Sequence, residues 1–260
     1  MHLPSYAKPV GEFPRYIHLL LIGVPGSGKT YSTVTTFPNP LVVNIDNGLT
    51  NEDIRKLNVP TIEFYDPALR KAIAPGAWKT SPAFANVANQ MTEFLSKEAL
   101  KLTSEQTLII DSLSTLADGI EKDLWAVCPR GKDGTPDGFA FWKNWADWFC
   151  GFCDVLKNLQ CNVVLIAHEQ EVRDAETGRV LQYMWSLPGQ KFSNRLGQFF
   201  TDVYRQIGTS KETSAGSGKF KRDFKWQVLP DDKFPFCKTR MNTEDKFVPA
   251  TYKSFDQYKA

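Results

Sequence analysis

Four apolar runs of the chain lack the polar–apolar alternation of a half-exposed strand, and the last three end in Asp or His. They are residues 16–22, 41–46, 107–111 and 162–168. Uninterrupted runs of this length predict strands that are buried on both faces, which is typical of a parallel sheet.

The segments between these runs carry apolar residues at a spacing of three and four, which predicts helices. One helix begins at the capping pair Ser81-Pro82, and a second spans residues 113–124. A third, at residues 141–155, is so aromatic that we expect most of its circumference to be covered. Alternating strands and helices predict an α/β fold, with a mostly parallel sheet that carries helices on both faces. Ligands of such sheets bind at the carboxyl ends of the strands.

The rest of the chain is predicted to form an N-terminal arm, three long loops and a C-terminal extension. Residues 1–14 are the arm, and residues 15–260 are a single domain. Long loops are usually functional or disordered, and we place them at residues 128–138, 169–195 and 209–222. Short apolar runs at about 200–250 predict an antiparallel extension with a mobile hairpin.

The motif G-x-x-x-x-G-K-[ST] occupies residues 23–30, directly after the first predicted strand and before a helix. Its glycines let successive backbone N–H groups face one phosphate, and the helix adds its positive end. We expect Lys29 to reach the β- and γ-phosphates of ATP and Thr30 to bind Mg²⁺. A glycine-rich turn that binds nothing is the alternative. The residues expected to bind the nucleotide are Gly23, Val24, Pro25, Gly26, Ser27, Gly28, Lys29, Thr30 and Tyr31.

Polar residues at three other strand ends complete the predicted site. Asp111 is expected to hold Mg²⁺ through water, and capping of the next helix is its alternative role. Ser112 follows where many P-loop ATPases carry a water-activating Glu, so Asp46 is the candidate for that role unless it only forms the turn before Gly48. His168 is placed to contact the γ-phosphate and report it to the following loop, although a lone His there can be purely structural.

Charge and cysteine content add three expectations. The formal net charge of +2 comes from 31 basic and 29 acidic residues, but residues 171–260 hold 16 basic and 11 acidic ones, so phosphate binding is expected there. Five cysteines, an odd number, and the absence of a membrane-length apolar stretch predict a soluble cytoplasmic protein. Cys150 and Cys153 form a lone C-x-x-C pair, which we interpret as core packing.

The order of these pieces resembles the RecA-type ATPase core. The resemblance rests on residues 23–30, 42–48, 108–112 and 166–168 and on the triplet Lys238-Thr239-Arg240. It is closer to phage-encoded RecA-core nucleotide-binding proteins with an AAA-type domain, which are proposed to act in single-strand annealing and recombination. The resemblance therefore implies single-stranded DNA as a partner and, for a phage protein, the cytoplasm of a bacterial host.

The resemblance also implies roles for individual residues. Asp46 would activate water, with a shorter side chain than the Glu of RecA-like proteins, and His168 would replace their γ-phosphate-sensing Gln. Loops 128–138 and 169–195 would bind DNA, with basic residues along the backbone and aromatic residues stacked on bases. The acidic residues in both loops leave open that they are ordinary solvated loops. The expected DNA contacts are Arg130, Lys132, Arg173, Arg179, Tyr183, Trp185, Lys191 and Arg195.

Lys238 and Arg240 would share one face of a short strand. Paired basic residues at this position reach the neighbouring nucleotide in RecA filaments, so the resemblance implies a homo-oligomer, filament or ring, with composite ATP sites. A solvated edge strand protected by its charges is the alternative. A single-strand-binding protein is a further expected partner, and a membrane is not.

Together these features predict a Mg²⁺-dependent ATPase that binds single-stranded DNA and promotes annealing or homologous recombination. A nucleotide-gated DNA-binding module with negligible hydrolysis is the alternative if Asp46 is only a turn residue. A small-molecule kinase would keep residues 23–30 and Asp111 but would need an arginine-rich lid, and the sequence has no such cluster.

Overall fold

A computed structural model describes residues 16–46, 49, 52–64, 87–132, 134–135, 137–212 and 220–259. The strands within these ranges are β1 (His18–Gly23), β2 (Pro40–Asn44), β3 (Thr61–Glu63), β4 (Thr107–Asp111), β5 (Asn162–Arg173), β6 (Val180–Trp185), β7 (Asp202–Glu212), β8 (Phe220–Gln227) and β9 (Phe247–Pro249). The helices are α1 (Lys29–Thr36), α2 (Glu52–Lys56), α3 (Val87–Lys97), α4 (Leu113–Val127), α5 (Gly138–Asn158) and α6 (Gln190–Ser193). Short 3₁₀ segments lie at Ala99–Lys101, Leu196–Phe199 and Tyr252–Lys259.

The described strands form one sheet in the order β3-β2-β4-β5-β1-β7-β8-β9, and β6 pairs with β5. All neighbours from β3 to β7 are parallel, whereas β8 and β9 are antiparallel to their neighbours. The predicted α/β fold with a mostly parallel sheet is therefore confirmed. The antiparallel extension begins later than predicted, because β7 pairs with β1 in parallel.

The first strand lies in the middle of the sheet, and all six of its residues are buried. Because side chains alternate across a strand, burial of every residue requires a packed layer on each face of the sheet. This explains why the apolar run shows no alternation. It also means that the loop following Gly23 starts from the centre of the core.

Helix α5 buries one face and leaves the other in solvent, so the expectation that most of its circumference is covered is wrong. Its carboxylate cap Asp137 accepts hydrogen bonds from the first backbone N–H groups of the helix. Trp145 and Phe149 are buried in the core, whereas Phe139 and Trp142 are 83% and 44% exposed. Aromatic content alone does not separate these two faces.

The prediction of a long loop at residues 169–195 is wrong, because most of this segment forms a hairpin. Strand β5 continues to Arg173, and β6 returns antiparallel to it. The Asp174 carboxylate closes the turn by accepting a hydrogen bond from the backbone N–H of Thr177 at 2.7 Å. In the predicted loop at 209–222, β7 covers residues 209–212 and β8 covers residues 220–222, and the remaining residues lie outside the described part of the chain.

Several sequence predictions fall outside the described residues. They concern the arm at 1–14, the helix start at Ser81-Pro82 and the hairpin tip at 213–219. The loop at 128–138 is irregular in its described part, and the short strand β3 was not predicted. The assignment of residues 15–260 to a single domain stays a prediction. None of the helices described is long and apolar enough to cross a membrane.

Candidate nucleotide site

The loop at residues 23–30 joins β1 to α1, as the motif requires. Gly26 and Gly28 have φ angles of 80° and 85°, which glycine adopts without strain. A Cβ at Gly28 would also lie only 2.3 Å from the ring of Phe224. No side chain caps the start of α1, so its first backbone N–H groups can bind an anion.

Lys29 is fixed against this loop. Its side chain is buried, and its ammonium group donates to the carbonyls of Gly23 at 2.7 Å and Val24 at 3.1 Å. Burial lowers the pKa of Lys29, while the nearby carboxylates of Asp111 and Asp46 act in the opposite direction. The ammonium group therefore lies beside the glycine-rich backbone that the motif assigns to phosphate.

Thr30 and Asp111 meet at the end of β4. The hydroxyl of Thr30 donates to the Asp111 carboxylate at 2.5 Å. Burial raises the pKa of Asp111 to about 6, and the charge of Asp46 adds to this effect, although the hydrogen bond from Thr30 opposes it. A cation at this point would offset the cost of a buried carboxylate.

The donor set at the loop fits a magnesium nucleotide. No group of three His, Cys, Asp or Glu side chains in the described part of the chain could hold a metal ion by itself. Mg²⁺ commonly takes one or two protein oxygens and completes its octahedron with water and phosphate oxygens. The oxygens of Thr30 and Asp111, together with the Lys29 ammonium and the amides at the start of α1, supply the protein share.

Asp46 forms a network with Ser112 and His168. One carboxylate oxygen of Asp46 accepts from the Ser112 hydroxyl at 2.9 Å, and the other lies 2.9 Å from Nε2 of His168. Burial would raise the pKa of Asp46, but hydrogen bonds from His168, Thr115 and Ser112 outweigh burial and keep the pKa below its usual value. The Nδ1 atom of His168 is buried and has no hydrogen-bond partner among the described residues. We call Asp46, Asp111, Ser112 and His168 the metal side of the site.

The opposite wall of the site comes from β7 and β8, and we call its residues Gln206, Gly208, Arg222 and Phe224 the hairpin side. The buried Gln206 amide donates to the Ser27 carbonyl at 2.9 Å. Its oxygen accepts from the Ser32 hydroxyl at 2.8 Å and from the Trp226 indole at 3.1 Å. One side chain thus ties β7 to the phosphate loop, to α1 and to β8.

Close packing continues along the hairpin side. A Cβ at Gly208 would lie 3.0 Å from the Ser27 carbonyl oxygen, and the Phe224 ring lies over Gly28 with its centroid 5.8 Å from that of Tyr31. The two sides enclose a cleft of about 810 Å³, which Arg222 and Phe224 line from the hairpin side and which Lys29 also lines. Sequence reasoning missed the hairpin side, although the alternation of Arg222, Phe224 and Trp226 is a signal for one shared face.

A family model described as an AAA domain, AAA_24, matches residues 15–212, which is more than half of the chain. The chain belongs to this AAA domain family. The match ends before β8, so Arg222 and Phe224 lie beyond it. No curated protein matches the chain.

Three solved structures resemble this AAA domain at low identity. The RadB recombinase is 8% identical with a TM-score of 0.38, and the match covers 81% of this chain and 87% of RadB. The flagellar accessory protein FlaH from Methanocaldococcus jannaschii is 12% identical with a TM-score of 0.37, at 89% and 84% coverage. An ATPase from the type III secretion system of pathogenic bacteria is 10% identical with a TM-score of 0.36, at 72% and 50% coverage. Because all three TM-scores are below 0.5, we describe the topology of the AAA domain from its own strand order and not from these structures.

The predicted aromatic DNA contacts of the AAA domain are not exposed. Trp185 is 1% exposed, and its indole donates to the Ser193 carbonyl at 2.9 Å. The prediction that Trp185 stacks on bases is therefore wrong. Tyr183 is half-buried, and the guanidinium of Arg205 lies 3.8 Å from the centre of its ring. Arg205 is itself fixed by a two-bonded ion pair with Glu169 at 2.8 and 2.9 Å.

The predicted basic DNA contacts are spread over the surface of the AAA domain. The exposed ones are Arg130, Lys132, Arg173, Arg179 and Arg195, while the side chain of Lys191 lies outside the described residues. Arg130 donates to the Gly134 carbonyl at 2.9 Å, and Arg173 donates to the Gly178 carbonyl at 2.8 Å and pairs with Glu171. Arg130 and Arg173 therefore support their own turns.

A groove beside α5 contains aromatic residues that the sequence analysis did not select. It has a volume of about 510 Å³, and its lining includes Phe139, Trp142, Lys143, Gly189 and Arg195. The close approach of Gly189 to Trp142, where a Cβ would lie 3.4 Å from the indole, shapes this groove. It brings exposed aromatic rings and two cations together, which the hairpin of β5 and β6 does not.

Lys238 and Arg240 lie far from the phosphate loop of their own chain. Lys238 forms a single bridge with Val203 rather than part of a regular strand. Arg240 donates to the Tyr16 carbonyl at 2.7 Å, and its guanidinium lies 3.5 Å from the Asp202 carboxylate. These partners are at the start of β1 and β7, whereas the phosphate loop follows the end of β1.

Proposed function

We propose that this AAA domain is a Mg²⁺-dependent ATPase that binds single-stranded DNA and promotes annealing or homologous recombination as an oligomer. The observation that carries the ATPase part is the meeting of Lys29, Thr30 and Asp111 at one glycine-rich loop. These side chains provide what a magnesium nucleotide needs: Lys29 provides a positive charge, Thr30 a hydroxyl ligand, and Asp111, at the end of β4, a carboxylate.

Asp46 and His168 act together in this proposal. A carboxylate with a lowered pKa and two engaged oxygens is a weak base, so Asp46 positions His168 rather than removing a proton from water itself. With Asp46 ionised, Nε2 of His168 donates to it, and Nδ1 keeps a lone pair that can accept a hydrogen bond from water. Bound Mg²⁺ would supply charge stabilisation for the phosphates.

The same observation supports a second candidate function. If Nδ1 of His168 stays buried when nucleotide binds, the site holds a nucleotide without activating water. The protein would then be a nucleotide-gated DNA-binding module with negligible hydrolysis. Both functions share the nucleotide site, and they differ only in turnover.

Phosphate release and nucleotide affinity, measured with and without single-stranded DNA, test these two functions. We expect the wild-type protein to bind MgATP and to release phosphate, and the Lys29→Ala variant to lose binding by about a hundredfold or more while keeping its fold. Binding without phosphate release would favour the gated module. Unchanged ATP affinity in Lys29→Ala would contradict both.

The groove beside α5 supports the DNA part of the proposal. Exposed rings can stack on unpaired bases, and cations beside them can follow the phosphates, which is the usual combination in single-strand binding. Trp142 supplies the ring, and Lys143 and Arg195 supply the charge. Asp147 also lines the groove, so the charge there is mixed.

Two tryptophans of similar exposure provide a matched test of this groove. Trp142 is 44% exposed and lines it, whereas Trp125 is 48% exposed and is not among its lining residues. We expect Trp142→Ala to weaken single-stranded DNA binding by about tenfold and Trp125→Ala to leave it unchanged. Affinity should also fall steeply with salt. Equal effects of both variants, or a flat salt response, would contradict DNA binding in the groove.

The location of Lys238 and Arg240 supports composite sites. From the start of β1 and β7 neither residue can reach its own phosphate loop, so any role in hydrolysis requires a second copy of the chain. We expect Lys238→Ala with Arg240→Ala to lower hydrolysis without lowering nucleotide affinity. Mixing this variant with Lys29→Ala should restore part of the activity, and an assembled mixture without rescue would argue against shared sites.

A further inference from the structure

Strand β8 presents three alternate side chains to the phosphate loop and its helix. Trp226 is buried and lies against Phe37, with ring centroids 6.3 Å apart. Phe224, two residues earlier, covers Gly28. Alternation along a strand puts Arg222 on this same face, one step of about 7 Å further out, and Arg222 lines the cleft.

The position of this strand is set by the phosphate loop itself. Gln206 on β7 bonds to both Ser27 and Trp226, and the pairing of β7 with β8 places Ser210 opposite Arg222. Phe224 cannot move towards the loop, because its ring already fills the space beside Gly28. The base of the Arg222 side chain is therefore held at a fixed place relative to the amides of the loop.

The charges lining the cleft leave a task for Arg222. The cleft is lined by the carboxylates of Asp46, Asp53 and Asp111, and by the cations Lys29 and Arg222. Lys29 donates to two carbonyls of its own loop, whereas Arg222 forms no ion pair with any other described residue. A guanidinium group on a fixed strand is suited to two parallel hydrogen bonds with a phosphate.

The sheet order indicates which phosphates Arg222 would meet. Asp46 follows β2, Asp111 ends β4, and His168 lies on β5 where the parallel pairing with β1 ends. These three strands lie on one side of β1, whereas β7 and β8 lie on the other side. The metal side is expected to face the terminal phosphate. Arg222 is then nearest to the nucleoside end of the phosphate chain.

We propose that Arg222 is a phosphate-binding residue of the nucleotide site in its own chain, and that Phe224 on Gly28 positions it towards the phosphates next to the nucleoside. This inference rests on the proposed nucleotide binding and adds to it a cationic ligand from β8, outside the range matched by the AAA domain family. It also makes strand β8 part of the nucleotide site.

Calorimetric titration of the full chain with MgATP and MgADP tests the inference. We expect Arg222→Ala to lower the affinity for both nucleotides by about tenfold or more, and Arg222→Lys to recover part of the lost affinity. Lys225→Ala is the matched control, because Lys225 is exposed on the same strand, its side chain points to the opposite face, and it lies 3.8 Å from Asp223. We expect it to change affinity less than twofold.

The outcomes separate this inference from the proposed function. Wild-type protein without nucleotide affinity would overturn both. Suppose that the wild-type protein binds nucleotide, that Lys29→Ala does not, and that Arg222→Ala and Lys225→Ala both bind with wild-type affinity. This result would overturn only the role of Arg222. A loss confined to MgATP would overturn the placement at the nucleoside end. Thermal unfolding of each variant checks the fold, which an exposed side chain should leave unchanged.

Discussion

The two sides of the nucleotide cleft differ in the kinds of residue and contact that form them. The metal side has Asp46, Asp111 and His168, where Asp46 is hydrogen-bonded to Ser112 and His168, and Asp111 accepts a hydrogen bond from Thr30. The hairpin side has Gln206, Gly208 and Phe224, which pack against the phosphate loop over its backbone. The metal side carries the carboxylates whose charge a bound cation would offset, whereas the packed residues of the hairpin side determine where the loop lies.

This difference implies that the two sides can be separated by mutation. Changes at Asp46 and His168 on the metal side should alter turnover with little effect on affinity, since these two groups act on the terminal phosphate and on water. Changes on the hairpin side should alter affinity, and at the packed positions Gln206, Gly208 and Phe224 also stability, and should leave the chemistry intact. A variant at Asp46 or His168 that mainly lowers affinity, or a hairpin-side variant that mainly lowers turnover, would show that the two sides are coupled.

The largest effect is expected from the pair Asp46 and His168. His168→Ala and Asp46→Asn should each lower the rate of ATP hydrolysis by about a hundredfold, because general-base assistance is commonly worth that much. The affinity for MgATP, measured by titration, should change only a few-fold. The double variant should be no slower than the slower single variant, because Asp46 acts through His168.

Additive losses in that double variant would give Asp46 and His168 independent roles. Asp46→Asn with full activity would remove Asp46 from the mechanism. Ser112→Ala removes one hydrogen bond to Asp46, so its rate of ATP hydrolysis should lie between those of wild type and Asp46→Asn.

The second effect concerns the free energy of unfolding of the protein without nucleotide. The folded-state pKa of Asp111 is raised to about 6 from an ordinary value of 3.8, so ionising it costs stability as the pH rises from about 4 to about 6. Asp111→Asn should therefore be more stable than wild type above pH 6, by ~3 kcal/mol at pH 8, with the gain shrinking towards pH 4. Urea unfolding at both pH values measures this gain.

The exposed Asp154 on α5 gives the matched control for that experiment, since Asp154→Asn should show no gain that depends on pH in this way. Excess MgATP should stabilise wild type far more than Asp111→Asn, because the substitution removes a proposed magnesium ligand. An Asp111→Asn variant that is less stable than wild type at pH 8 would contradict the buried-charge argument.

How much the sequence could predict follows the same division between the two sides. Asp46, Asp111 and His168 were predicted to converge because carboxyl ends of parallel strands meet at one edge, and the structure brings them together. Gln206 could not be selected, because an ordinary residue type gains its role only when β7 pairs with β1, a contact between distant parts of the chain. The alternation of Phe224 with Arg222 and Trp226 indicates a shared face but not that this face covers the phosphate loop.

Aromatic residues show the same limit in another form. Trp185 and Trp142 both lie in segments with basic neighbours, but Trp185 is 1% exposed and Trp142 is 44% exposed. Burial depends on which strand or helix covers a residue, and the sequence predicts a loop where β5 and β6 form a hairpin. The sequence therefore predicted the elements of the sheet better than the surface that they present.

The smallest effect should come from Gly208→Ala, and it tests the hairpin side by packing alone. The new Cβ would lie 3.0 Å from the Ser27 carbonyl oxygen, so the phosphate loop or β7 must shift by a few tenths of an ångström. We expect a loss of about 1 kcal/mol in stability, measured by urea unfolding, and a several-fold weaker affinity for MgATP, while the turnover number stays within twofold.

Gly151→Ala is the matched control, because a Cβ there meets nothing within 4 Å and alanine is favoured over glycine inside a helix such as α5 by about 0.5–1 kcal/mol. The two substitutions should therefore change stability in opposite directions. A Gly208→Ala protein with wild-type affinity would mean that the loop adapts freely to the hairpin, and a fall in its turnover number would mean that loop position and chemistry are linked after all.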